Sequence, residues 1–284
     1  MSKLLLLTDL DGNQVVINET DINFVRDLGS STSNIIYRDT NSTIPKSIDI
    51  DETVANIVSA GTQLLALSEL SLGTSVAINE ADVVLVVDLG SSTSRVTYND
   101  LSSSVPKTID VDDSVATIVS ASSQLLAATE LNSSTAIAIN RMKVKGAENY
   151  LQVNPSGTIT FASGAGTVTD IEIDGNSIFD TGTAITGASL ALLATNTAAA
   201  INAYTSTGGF TAVANGAVVT VTATTPSEAL NGEAITTTLT STLATTTTAL
   251  AGGVNDCTVV YDNGGSFLEK LNINKSLVEL TTYA

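Results

Sequence analysis

Asp27-Leu-Gly-Ser-Ser-Thr-Ser33 and Asp88-Leu-Gly-Ser-Ser-Thr-Ser94 are the same seven residues, 61 positions apart. The match extends on both sides at that offset. Val15 to Asn18 answers Val76 to Asn79, Ile35 to Tyr37 answers Val96 to Tyr98, and Ile48 to Asp51 answers Ile109 to Asp112. A period of this length marks one supersecondary unit that stacks on its neighbours.

Within the first unit, Leu4 to Thr8 and Gln14 to Asn18 flank Asp11-Gly12-Asn13, the pattern of a β-hairpin. Ile22 to Asp27 and Asn34 to Arg38 flank the Gly-Ser loop and read as a second hairpin. Ser47 to Ile50 adds a short strand. Asp51 and Glu52 then suit a helix start, with Val54, Ile57 and Val58 as its apolar stripe. The second unit repeats this, with Asp112 as N-cap and Val115, Ile118 and Val119 on the stripe.

A third unit begins on schedule at Gln124 to Ala127 and Ala136 to Asn140, then stops after Val144. Its pattern resumes late. Thr258 to Tyr261 matches Arg95 to Tyr98, Phe267 to Leu271 stands in for Val105 to Ile109, and Asn274 takes the N-cap place before Leu277 and Leu280. The expected organisation is therefore mainly β with short helices (α+β), in tandem β-hairpin–helix repeats. Residues 1–61 and 62–122 are the first two units. Residues 123–145 with 256–284 form a split third unit, and 146–255 form an inserted α+β module in a hairpin loop. Loop tips tolerate such guests because closure entropy grows only logarithmically with length.

The guest has its own character. No Lys or Arg occurs from Gly146 to Glu269. Thr158 to Ala162 and Val168 to Ile173 read as strands, Ser189 to Tyr204 as an Ala-rich helix, and Phe210 to Ala223 as a hairpin turning at Asn215-Gly216. Thr245 to Thr248 is too biased in composition to place.

The formal charge of −18 in 284 residues disfavours contact with nucleic acid phosphates. There is no His, so the commonest general base and metal ligand is missing, and the single Cys257 cannot form an internal disulfide. Met1 to Gly12 lacks the features of a signal peptide, and no apolar run is long enough for a membrane-spanning helix. Asp49, Asp51 and Glu52, with Asp110, Asp112 and Asp113, read as helix-start acids rather than catalytic pairs. Asp170 to Gly175 carries alternate acids before a Gly but lacks the later ligands of a calcium loop. Arg141-Met-Lys-Val-Lys145 is the only basic cluster. Its alternation reads as the exposed face of a strand, suited to a contact between subunits. The expected lists of catalytic, cofactor-binding and metal-binding residues are all empty, with no cofactor.

Val83 to Arg95 resembles the first phosphate loop of the actin and Hsp70-like ATPases, over about thirteen residues. The chain shows no second phosphate loop and uses the motif twice, so a hairpin turn is the preferred reading. At the guest, the chain resembles modules of tailed-bacteriophage virion proteins. The shared features are Ile171 to Gly175, Ala198 to Asn202, Phe210 to Ala212, Gly216 to Ala223, Asn231-Gly232 and Gly252-Gly253. That resemblance implies a non-enzymatic virion structural protein assembled in the bacterial host cytoplasm. Head decoration or auxiliary capsid protein comes first, with three units imitating a trimer. A tail tube, sheath or neck component comes second, and a bacterial surface or adhesive protein third. The implied partners are other virion proteins and copies of itself, without nucleic acid or membrane.

Overall fold

The computed structural model describes residues 3–39, 42, 44–265 and 268–281. It is mainly β, built of antiparallel sheets with short helices. The chain divides into a body, Met1–Glu148 with Cys257–Ala284, and a module, Asn149–Asp256.

The body opens with strands β1 (Leu4–Thr8), β2 (Gln14–Asn18), β3 (Ile22–Gly29), β4 (Thr32–Tyr37) and β5 (Lys46–Ile50), then helix α1 (Val54–Ala60). The same order follows in β6 (Leu64–Ser68), β7 (Ser75–Asn79), β8 (Val83–Gly90), β9 (Thr93–Tyr98), β10 (Lys107–Val111) and α2 (Val115–Ala121). Next come β11 (Leu125–Thr129), β12 (Ala136–Asn140) and β13 (Val144–Val153). A single 3-10 turn precedes β3, β8 and β13, at Glu19–Asp21, Glu80–Asp82 and Arg141–Lys143.

The module contains β14 (Ser156–Ser163), β15 (Val168–Ile173), β16 (Asn176–Ser177), α3 (Leu190–Ala203), α4 (Thr205–Gly208), β17 (Phe210–Asn215), β18 (Val218–Ala223), β19 (Ile235–Leu239) and β20 (Ala244–Ala251). The chain returns through β21 (Val254–Asp262) and ends in β22 (Leu268–Ile273) and α5 (Leu277–Thr281).

The Gly-Ser loops are tight hairpin turns. Ser30 and Ser31 have φ of 53° and 66°, and Ser91 and Ser92 have 54° and 64°. Two successive left-handed residues make the turn whose twist matches the flanking strands, a place usually held by Asn-Gly. Here side chains hold it. Asp27 Oδ1 accepts from Gly29 N at 2.9 Å, and Thr32 Oγ1 donates to Gly29 O at 2.8 Å. Asp88, Gly90 and Thr93 repeat both bonds.

The helix starts differ from expectation. Thr53 and Ser114 are the N-caps of α1 and α2, accepting from Asn56 N and Thr117 N. Asp51 and Asp112 lie two residues too early. Glu52 instead accepts from Thr8 N at 2.9 Å, and Asp113 from Ser68 N at 2.9 Å, so these acids tie hairpin to helix. Asn274 is not a cap either. Its Oδ1 accepts from Thr129 N, while Ser276 and Glu279 form a reciprocal capping box on α5. Sequence favours an acid at a cap as readily as a hydroxyl, and only the path of the neighbouring hairpin distinguishes the two uses. Phe267, the start of the stretch set against Val105 to Ile109, lies outside the described residues.

The module folds around its own core. Ile159, Phe161, Ile171, Ile173, Val219 and Val221 pack from the sheets β17-β18-β14-β20 and β16-β15-β19. Leu193, Ala194, Thr197, Ala198 and Ile201 pack from α3. Gly164 and Gly166 are required there, since a Cβ on either would lie about 2 Å from a backbone carbonyl oxygen.

Candidate functional site: the seam between consecutive sheets

The body's sheets do not follow the hairpin–helix segments. One five-stranded sheet has the order β5-β4-β3-β7-β6, and the next β10-β9-β8-β12-β11. Each is completed by the hairpin of the following segment. Phe24, Val25 and Arg26 face Ile78, Ala77 and Val76. Leu85, Val86 and Val87 face Ile139, Ala138 and Ile137 in the same register.

Strand alternation makes each joining hairpin serve two cores. Leu65, Leu67, Val76 and Ile78 pack into the core of their own segment, with Val83, Val96 and Ile118. Leu64 and Ala77 turn the other way and pack with Ile22, Ile35 and Ile57. Leu125 and Ala138 do the same for the second core. Burying one leucine in this way contributes about 1.5–3 kcal/mol.

Polar groups lock each joint. Asn79 is 2% exposed and donates from Nδ2 to Glu19 O (3.1 Å) and Ile22 O (2.9 Å). Asn140, also buried, donates to Glu80 O (2.7 Å) and Val83 O (2.8 Å). The fully buried Glu19 carboxylate accepts from the amides of Thr62 and Gln63, which lead into the next hairpin. Glu80 accepts from Ser122 Oγ and Ser123 N at the second joint. Such charge-assisted bonds to amides are among the stronger ones available to a protein.

Beside the first joint lies a polar hollow of about 460 Å³, lined among others by Phe24, Arg26, Glu69, Arg95, Tyr98 and Lys107. Its charges are paired with one another. Arg26 grips both oxygens of Glu69, Arg95 both oxygens of Asp110, and Lys107 meets Asp100. Phe24 stacks on Tyr98 with ring centroids 5.6 Å apart. Burial, with Asp100 nearby, pushes the Tyr98 hydroxyl up to about 12, so it is neutral at physiological pH. Burial also raises Asp82, against the opposing pull of Asn23, Lys143 and Arg38.

Of the acids singled out in the sequence, Asp110 lines the hollow beside this seam, and the others do not converge on it or on one another. Asp49 accepts from Asn34 Nδ2 and Asp110 from Arg95, both at strand surfaces. Asp170 accepts from Ser177 Oγ, and Asp174-Gly175 is a hairpin turn with φ of 52° and 69°. Among the described residues, no three His, Cys, Asp or Glu side chains are grouped to hold a metal ion. No helix there is long and apolar enough to cross a membrane. The basic cluster is not one strand face, because Arg141–Lys143 is the 3-10 turn and β13 starts at Val144. Arg141 donates to Ser123 O and Leu125 O, and Lys145 approaches Asp262 at 4.0 Å.

The joints were not legible as joints. The signal was present in Asn18, Asn79 and Asn140, which recur in register, but an Asn at a strand end reads equally well as a turn residue. No family model, curated protein or solved structure matches the chain.

Proposed function

We propose that this chain is a non-enzymatic structural protein of a bacteriophage virion. On this reading its body is three units of one hairpin–helix fold. The third unit is split by a module at about 146–255 and completed by β21, β22 and α5. The observation that carries the structural role is the seam. Its buried groups connect one sheet to the next, and its charged side chains are largely spent on each other. The phage assignment rests on the resemblance of the module, from Ile171 to Gly253.

A tail tube, sheath or neck component is the better-supported virion part. A trimer mimic closed on itself would set β2 against β13 within one chain. Instead, among the described residues, β1 and β2 form a separate two-stranded sheet and β13 lies at a sheet edge. Repetition of one joint in one direction builds rings and tubes. Head decoration is the second reading, favoured by the module's separate core, which suits a displayed element.

The test is localisation on purified particles. Gold-labelled antibody against the chain should mark the virion, at the tail or neck on the first reading and over the head lattice on the second. Absence of the chain from particles that contain their full set of structural proteins would overturn the assignment.

A further inference from the structure

The two ends of the body are the two halves of a joint that the chain makes twice internally. The third sheet has the order β13-β21-β22, and β13 lies at its edge. In the other two sheets the corresponding strand, β3 or β8, carries the next hairpin. At the opposite end, β1 and β2 form a two-stranded sheet of their own, joined to the first sheet by the bridge Asp9–Ile50 at the hairpin tip.

The side chains show the same vacancy. Leu64 and Leu125 are 7% and 2% exposed, while their counterpart Leu4 is 67% exposed. Ala77 and Ala138 are fully buried, while their counterpart Val16 is 58% exposed. Asn18 caps its 3-10 turn through Oδ1, as Asn79 and Asn140 do. Unlike theirs, its Nδ2 has no carbonyl partner among the described residues. At the other end, a groove of about 390 Å³ lies open beside β13, walled by Leu126, Ile139, Val144, Ala147, Val259 and Leu280. Val144 and Leu280 are half-buried there, whereas the equivalent Val83 and Ile118 are closed over by Leu125 and Ala138.

We propose that the occupant of this edge is the β1–β2 hairpin of a second copy, joined head to tail. Transferring the internal register places Val16 of one copy opposite Ala147 of the next, with Ile17 opposite Gly146 and Val15 opposite Glu148. The volumes agree. Each internal joint sets a Val against an Ala, as Val25 with Ala77 and Val86 with Ala138. Between copies the same pair recurs with the two residues exchanged, Ala147 with Val16. A swap that conserves volume is what a packed interface tolerates. Asn18 then reaches the carbonyls of Arg141 and Val144, the counterparts of Glu80 and Val83. The Glu19 and Glu80 place is taken by Arg141, which is bonded to its own segment. Strand addition at a sheet edge is a general mode of association. Because the two surfaces differ, the contact gives rings or filaments rather than a closed pair.

This inference rests on the three-unit reading, and one set of variants separates the two. Sedimentation velocity on the purified full-length chain should show oligomers that grow with concentration. Val16→Asp should abolish them while leaving the melting temperature of the protomer unchanged, since Val16 is exposed there. Val16→Ala and Ala147→Val should each weaken association about tenfold or more, and the double variant should recover most of it. A chain that stays monomeric at every concentration, or oligomers indifferent to Val16→Asp, would overturn the proposal. If Asn79→Ala also left protomer stability unchanged, the three-unit reading itself would fall. If Asn79→Ala destabilised the protomer as its burial requires, only the contact between copies would be lost.

Discussion

Asn79 and Asn18 are the same residue at the same place in two hairpins, and they live in different solvents. Asn79 sits inside the first joint with both functional groups bonded, and Asn18 stands partly exposed at the start of the body with one group in use. Leu64 with Leu4, and Ala77 with Val16, repeat the contrast. A side chain's contribution is therefore set by whether a neighbouring unit covers it, and near-identical sequence does not imply equal energy.

The largest effect should follow from removing the buried amide. Asn79→Ala removes the side-chain donor to the buried carbonyls of Ile22 and Glu19, the latter keeping only its bond from Ile22 N, at a cost of about 1–3 kcal/mol. Asn18→Ala loses only the bond from Thr20 N and should cost about 1 kcal/mol or less in the isolated protomer. Urea denaturation of both variants at low protein concentration checks this. Equal losses would mean that the first joint is no drier than the chain's start.

The smallest effect lies on the strand surfaces, where the first two segments differ in chemistry at one cross-strand position. Asn34 pairs with Asp49, and Arg95 with Asp110. Donation by Arg95 holds the Asp110 carboxyl below its ordinary value, and slight burial opposes it. A carboxyl lowered on folding contributes stability above its unfolded value, which is lost as pH falls through the folded one. Arg95→Asn should thus lower stability slightly near neutrality, with the difference from wild type vanishing in acid. Both groups are well solvated, so the shift is small and decreases with salt. A difference that persisted below the folded value would mean that Arg95 acts through packing.

Local chemistry was readable where it is decided locally. The Asp11-Gly12 hairpin, both Asp-Leu-Gly-Ser-Ser-Thr-Ser turns, the Ala-rich helix and the Asn215-Gly216 hairpin carry their instructions within a few residues. Thr258 to Tyr261, which match Arg95 to Tyr98 in sequence, lie in a strand, β21. The module's compact limits, 149–256, fall a few residues from the expected 146–255, since β13 runs unbroken from Val144 to Val153. What could not be read was partner choice. The β6–β7 and β11–β12 hairpins each join the sheet before them, and alternation shows that both faces of β7 are apolar without saying which core each face meets. The cap misassignment at Asp51, Asp112 and Asn274 has the same origin, because Thr8, Ser68 and Thr129 lie more than forty residues from the groups that bind them.

The claim that the ends of the body are two halves of one joint is tested most directly by covalent trapping. The full-length chain carrying Val16→Cys and Ala147→Cys should, under mild oxidation, form a ladder of disulfide-linked multimers joined between position 16 of one copy and 147 of another. The fully buried Cys257 should take no part, and neither single-cysteine variant should extend beyond a dimer. Failure of the double variant to crosslink under conditions where the protein is oligomeric would contradict the account, as would an intramolecular 16–147 disulfide in a monomer.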